Sequence, residues 1–427
     1  MALRLLSEFL DHFGLNVSYL NEDLGLIKPI LENSVAGVLP EVIRQMNIDS
    51  ELTADSSHVR NPNLEKKIAE SFPSGYDNVV FFICDGVGAE RLQKLGGTLW
   101  DNINEQGTIA STMFPSMTST VMTSLAFGMF PGDHGLLGYN LYNEHLDEVW
   151  NSLNLQYKKD DKDTYILENN KLADFVEGKP IMDHLAAELD ELKTTFIAPD
   201  QLVSPSLLDL INHTITPTTY TNPIEGGMLL ANALSQDVKN QVTAVYVGYA
   251  DYFGHAKGPE SPEYGQAIAG IDQMIGFLLN HPKMKDGSTL GILTSDHGQV
   301  QIDHSKSYWQ SREEWKIQRD RGINLSTSGR TVHAFAKSDK LDDARALLET
   351  YANGMGHIIS RDEAMKLSGG STKYAHRTGG LSLVLADSYL YDIPEVVQFG
   401  EAVRMHGQHG SLTEKELFVP VGIFGGQ

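Results

Sequence analysis

The chain has 427 residues, 41% hydrophobic and 21% charged, with 39 Gly, 16 Pro and no low-complexity tract. That is the composition of a folded globular protein and excludes a disordered or fibrous one; at about 150 residues per domain it allows two or three units, or one large α/β domain with an insertion. Asp and Glu outnumber Lys and Arg by 56 to 33, a formal net charge of −23, and a surface of that sign repels phosphate backbones and anionic headgroups, so neither nucleic acid nor membrane is expected as a partner.

In chain order, Arg4, Glu8, Asp11 and His12 break up any stretch apolar enough for a signal-peptide core, so the first twenty residues read as an amphipathic helix. Cys84 is the single cysteine, which leaves nothing that demands an oxidising compartment, and a cytoplasmic protein is expected. Residues 1–75 mix helical patterns with polar breaks such as Asn61-Pro62-Asn63 and carry no recognisable chemistry; they are expected to be an N-terminal extension packed on the core.

From Asn78 the pattern changes to Val79-Val80-Phe81-Phe82-Ile83-Cys84, apolar on both faces, as in the central strand of a covered parallel sheet. Similar runs recur at Thr195–Ala198, Val242–Val247 and Leu290–Thr294, with helical stretches at Ile181–Leu192 and Tyr264–Leu279 between them. The alternation predicts a doubly wound α/β fold with a mostly parallel sheet. The span from Glu105 to Asp133 has no charge between its ends, but Ser111, Thr112, Ser116, Thr118, Ser119, Thr120, Thr123 and Ser124, with Pro115 and Pro131, make it too polar for a membrane span. A charge-free, hydroxyl-rich stretch in an acidic protein is instead what a buried anion site requires. After Thr294 the rhythm becomes strand Thr331–Ala336, helix Leu341–Tyr351, strand His357–Ser360, helix Arg361–Leu367 and strand Leu381–Leu385. A small inserted α+β cap is expected at 301–378, the catalytic core at 76–300 and 379–427, closing through Phe418–Phe424.

In open α/β sheets the reacting groups gather at the carboxyl ends of strands. Asp85 follows the first strand, Asp251 and His255 follow Val242–Val247, and Asp296 and His297 follow Leu290–Thr294. Any one of these aspartates alone could be a helix cap or a turn residue. Together they form a set of carboxylates and imidazoles suited to Zn²⁺ or Mn²⁺, and a bound metal would supply the positive charge that an anionic substrate needs in so acidic a chain.

Phe82-Ile83-Cys84-Asp85-Gly86, Phe114-Pro115-Ser116-Met117-Thr118, Gly248-Tyr249-Ala250-Asp251-Tyr252-Phe253-Gly254-His255, Thr294-Ser295-Asp296-His297-Gly298 and Gln408-His409-Gly410 occur in that order. Across residues 78–425 this series resembles the type I phosphodiesterase/nucleotide pyrophosphatase family of the alkaline phosphatase superfamily. The resemblance implies an alkaline phosphatase-like fold, two divalent metal ions, usually zinc, and hydrolysis of a small phosphate-ester substrate through a phosphothreonine. Carried over by matching position, Asp251, His255 and His409 would hold one metal, and Asp85, Asp296 and His297 the other, with the nucleophile Thr118 beside it. His409 is preferred over His406 because Gln408-His409-Gly410 leads through Glu416 to Val419-Pro420 as the family's last segment does. His134 is expected to be structural, and His145, His184, His213 and His281 to be solvent-facing or locally packed.

The same resemblance bears on substrate. Nucleotide-cleaving members carry an aromatic directly after the nucleophile, where this chain has Ser119. The amide that supports a phosphoryl oxygen near Gly138 falls at Tyr139, with Asn140 next to it as the candidate catalytic donor. No motif places an arginine to grip a second phosphate charge, which favours diesters over monoesters. Tyr249, Tyr252 and Phe253, and the Tyr308, Trp309 and Trp315 region, are candidate pocket walls. A phosphomonoesterase or phosphonate hydrolase would use the same site, since fold does not settle substrate; a sulfatase is excluded because Cys84 is not at the nucleophile position. An inactive metal-stabilised binding protein is the alternative of another class, set against the complete ligand set.

Overall fold

A computed structural model describes residues 9–54, 58–143, 148–153, 156–159, 163–166, 175–201, 216–392 and 405–426. Its central sheet is built from the apolar runs. In Asn78–Cys84 every residue is buried, and successive side chains feed opposite layers: Val80, Phe82 and Cys84 one apolar cluster, Val79, Phe81 and Ile83 the other, as a strand covered on both faces must. The seven strands lie in the order Thr218–Tyr220, Leu192–Pro199, Asn240–Val247, Asn78–Cys84, Thr289–Thr294, Phe418–Phe424, Thr108–Ser111. The first five are parallel; Phe418–Phe424 runs antiparallel to both of its neighbours. The sheet is mixed and flanked by helices, which makes the fold α/β with a mostly parallel core.

Of the expected N-terminal helix, residues 1–8 lie outside the described residues. The rest of the extension shares the apolar cluster of the sheet through Val35, Val38, Leu39, Val42, Leu64 and Ile68, and isolated bridges join Ser34 to Ser111 and Met46 to Tyr76. Asn61-Pro62, a break in the sequence pattern, starts a helix. Asn61 Oδ1 accepts from Leu64 N at 3.1 Å, and Pro62 occupies the first position of Pro62–Ser71, where its missing N–H costs nothing.

The hydroxyl-rich stretch contains strand Thr108–Ser111 and helix Thr118–Phe127, the latter buried at every residue. Two of its hydroxyls find partners inside, Thr123 Oγ1 donating to Ser119 O at 2.7 Å and Ser124 Oγ meeting His134 Nε2 at 2.9 Å, whereas Thr120 Oγ1 is buried without one. Residues Asn140–Asn143, Glu148–Asn151, Gln156–Lys159 and Asp163–Ile166 form a four-stranded antiparallel meander that the sequence reading missed, because its strands are short and polar.

A second four-stranded sheet has the order Ile323–Ser328, Thr331–Ala336, Leu381–Leu385, Gly356–Ser360. Leu381–Leu385, which follows the expected cap boundary at 378, pairs with strands on both sides, and removing it would leave two unpaired strand edges. No helix of the described residues is long and apolar enough to cross a membrane.

Candidate active site

Asp85, Asp251, Asp296 and His297 all follow the carboxyl ends of three adjacent parallel strands. Gly86 makes their convergence possible. It has φ +76°, and a Cβ there would stand 2.7 Å from Asp251 Cα, so no other residue lets the turn after Asp85 abut the helix Tyr249–Lys257. That helix places Asp251 and His255 one turn apart, with His255 Nε2 3.2 Å from Asp251 Oδ1. His409 arrives from the loop before the last strand, its ring stacked on His297 with centroids 3.5 Å apart.

Two compact ligand groups result among the described residues: Asp85, Asp296 and His297, all buried, and Asp251, His297 and His409. His297 Nε2 lies 3.6 Å from Asp85 Oδ1 and 3.2 Å from Asp296 Oδ2; His409 Nε2 lies 3.8 Å from Asp251 Oδ1. His297 is thus shared by both groups, and His255 reaches the second through Asp251. Thr118 Oγ1 stands 3.1 Å from His297 Nε2 at the start of the buried helix.

Neighbouring groups orient the ligands. The Nδ1 atoms of His255, His297 and His409 face the carbonyls of Gly407 at 2.8 Å, Gly298 at 3.1 Å and Ser116 at 2.7 Å. Donation to those carbonyls assigns the proton to Nδ1 and leaves each Nε2 lone pair facing the site, the tautomer a metal needs. Tyr246 Oη donates to Asp85 Oδ2, and Gln299 Nε2 donates to Asp251 Oδ1. Asp296 Oδ1 accepts from the backbone N–H of Gly86 at 3.1 Å and of His297 at 2.9 Å. The oxygens that remain, Asp85 Oδ1 and Asp296 Oδ2, are buried without a hydrogen-bond partner and are the two that face His297. Buried carboxylate oxygens left without donors fit a divalent cation.

The charge balance agrees. Burial, then Asp296 and Asp251, push the Asp85 carboxyl well above its usual range. Burial would also raise Asp251, but His255, one helical turn away with Nε2 3.2 Å from Asp251 Oδ1, holds it low. Burial, with His297 and His255 beside it, pushes His409 far below the ordinary histidine range, so it is neutral and free to donate its lone pair.

Tyr246, Gln299 and Ser116 escaped the sequence reading as parts of the site. The one phenol in the otherwise mostly apolar run Val242–Val247 was the available signal for Tyr246. Ser116 Oγ also accepts from Gly410 N at 3.0 Å and donates to Ser411 O at 2.9 Å, tying the loop before Thr118 to the His409 loop. Asn140 is buried, and its carbonyl accepts from Ser326 Oγ at 2.7 Å; the Tyr139 hydroxyl bonds Asn151 and feels the charge of Asp251. His406 faces away toward His304, rings 5.5 Å apart. His134 is held at both nitrogens, by Ser124 Oγ and by Leu136 N at 3.2 Å, and is structural. His281 is locally bonded and His184 exposed; the histidines at 145 and 213 lie outside the described residues. Tyr249 and Phe253 pack on the core, whereas Tyr252 is 53% exposed. Tyr308 and Trp315 pack in the cap.

The mixed α/β sheet is of the alkaline phosphatase-like class, and its strand ends carry two overlapping Asp/His groups beside a threonine, a candidate metal centre. The profile of the family "Type I phosphodiesterase / nucleotide pyrophosphatase" matches residues 79–411, and the chain belongs to that family. It is 27% identical over 260 residues to ectonucleotide pyrophosphatase/phosphodiesterase family member 3 of Bos taurus, covering 56% of this chain and 28% of the relative, and 26% identical over 247 residues to family member 1 of Homo sapiens, covering 54% and 24%. The chain therefore spans about a quarter of the length of these relatives. Among solved structures it resembles murine ectonucleotide pyrophosphatase/phosphodiesterase 5, in an inactive threonine-to-alanine form in complex with AMP (TM-score 0.58, 17% identity, 81% of this chain and 87% of that one). It also resembles phosphonoacetate hydrolase from Sinorhizobium meliloti in complex with phosphonoformate (TM-score 0.58, 15% identity, 82% and 90%).

Proposed function

We propose that the chain hydrolyses a phosphodiester or pyrophosphate bond with Thr118 as nucleophile, at a site holding two divalent cations, zinc or manganese. The observation that carries this is Thr118 Oγ1 placed 3.1 Å from His297 Nε2, next to two buried carboxylate oxygens that have no donor. Asp85, Asp296, His297 and Thr118 would hold one cation; Asp251, His255 and His409 would hold the other. Bound there, divalent cations supply Lewis-acid charge that favours an alkoxide and offsets charge gathering on phosphoryl oxygens.

The chain's own residues supply the rest. Thr118 Oγ attacks phosphorus as the bond to the leaving oxygen breaks, giving a phosphoryl ester of Thr118. Water then adds at phosphorus, the Thr118 ester bond breaks, and the hydroxyl is restored. The first turn of helix Thr118–Phe127 presents backbone N–H groups where the non-bridging oxygens would lie. Asn140, or the hydroxyl of Tyr139, is the candidate further donor to those oxygens. The threonine-to-alanine form in which the murine neighbour is inactive supports the role of Thr118.

Ser119 supports a leaving group other than a stacked base. It is buried, its Oγ 3.0 Å from Ser152 Oγ and 3.4 Å from Gly138 O, so nothing at that position offers a ring face. The phosphonoacetate hydrolase neighbour keeps phosphonate or phosphomonoester cleavage as the second reading.

The test is the initial rate of zinc- or manganese-loaded protein on bis(p-nitrophenyl) phosphate beside p-nitrophenyl phosphate. We expect the diester to be faster and Thr118→Ala to abolish both rates. A faster monoester would move the protein to the phosphatase side, and full activity in Thr118→Ala would remove the nucleophile assignment.

A further inference from the structure

Among the described residues, one ion pair outside the ligand set, Arg330 with Glu416, is fully buried and touches the site. Arg330 is 0% exposed and lies in the two-residue turn joining Ile323–Ser328 to Thr331–Ala336 of the cap sheet. Its guanidinium donates to Glu416 Oε2, to Tyr389 O at 3.1 Å, to Ala386 O at 2.8 Å and to Asp387 O. Glu416, equally buried, accepts from Ser411 N at 3.1 Å and from Thr413 Oγ1.

The backbone of the same two residues reaches both ligand loops. Arg330 N donates to the carbonyl of His409 at 2.8 Å, and Glu416 O accepts from Gly298 N, directly after His297, at 3.0 Å. Thr331 Oγ1 adds a bond to Gly410 O at 2.6 Å. The turn is fitted to this contact, since a Cβ at Gly329, φ +55°, would fall 2.0 Å from the His409 carbonyl oxygen. Taking two charges out of water is expensive, and a hydrophobic pair of similar volume commonly serves folding as well or better. Stability alone therefore does not account for an ion pair here.

We propose that Arg330 and Glu416 are positioning residues, which hold the His409 loop against the His297 loop at the spacing two cations require and tie that spacing to the cap sheet. This rests on His297 and His409 being metal ligands. Neither side chain reaches a reacting atom; the pair acts through Ser411 N and the His409 carbonyl, as outer groups act on a metal by orienting its ligands.

The experiment titrates zinc, in chelator-buffered solution, into the metal-free full chain and follows stoichiometry by elemental analysis beside the circular dichroism of each protein. The double variant Arg330→Met with Glu416→Leu removes both charges, and Arg330→Lys keeps the charge but not the fork. We expect the double variant to keep the wild-type spectrum, to bind one of its two cations about 10- to 100-fold more weakly, and to hold one equivalent at a free zinc level that gives two in the wild type; Arg330→Lys should recover part of the loss. If the double variant does not fold, Arg330→Lys decides by the same affinity criterion. Folded variants with wild-type affinity for both cations would overturn the proposal while leaving the reading of the site intact. A wild-type protein that takes up no cation would overturn that reading, and the proposal with it.

Discussion

At the residue scale the site is a set of lone pairs held in place by a second set of hydrogen bonds. Asp85 shows the logic: one oxygen is tied to Tyr246 Oη, and the other is left bare toward His297. Tyr246→Phe removes the tie and little else, because the ring stays in the apolar layer. The variant should fold as the wild type does but bind zinc about 10- to 100-fold more weakly by chelator competition; unchanged affinity would show that Tyr246 does not orient Asp85. The aspartates and histidines of the site were legible in the sequence because each stands directly after a doubly apolar strand, or, for His409, within a family motif. Tyr246, Gln299 and Arg330 were not, since a residue that acts by orienting another carries no signal until the fold brings the two together.

Among the elements, helix Thr118–Phe127 is the unusual one. It is buried on all sides although half its residues carry hydroxyls, and it is anchored at its far end by the bond between Ser124 and His134. Burial lowers His134 to about 3, and burial likewise lowers His333 to about 4. Both histidines bind protons more weakly folded than unfolded, so the stability they support is present above about pH 6.5 and is lost as pH falls through these lower values. His134→Gln should cost about 1–3 kcal/mol at pH 7 through the disturbed buried bond and should flatten the loss of stability between about pH 6.5 and 3, measured by urea unfolding across pH; an unchanged slope would contradict the assignment of a neutral structural histidine. This element also marks where sequence reading stopped. Charge-free hydroxyls declared a buried polar segment, but the strand Thr108–Ser111 inside it is too short for its period to show. Leu381–Leu385 is a related case: it has the fully buried pattern of a core strand, and only its pairing joins it to the second four-stranded sheet.

For the whole molecule, the site concentrates Asp85, Asp251 and Asp296 in the interior of a protein already at −23. Divalent cations would relieve that repulsion, so loading should stabilise the fold as well as activate it. Free zinc at about 100 times the dissociation constant of a site contributes about 2.7 kcal/mol through that site by mass action. The melting temperature should therefore rise on zinc addition and fall on chelation, together with activity; a melting temperature indifferent to zinc would contradict a cation site built from these residues.

The most direct test of the central claim, covalent transfer to Thr118, is stereochemical. A single diastereomer of a phosphorothioate diester is hydrolysed by the metal-loaded protein in heavy-oxygen water, and the configuration at phosphorus in the product is determined. Two successive in-line displacements, first by Thr118 and then by water, predict net retention. Net inversion would mean that water attacks the substrate directly and would contradict the phosphothreonine route.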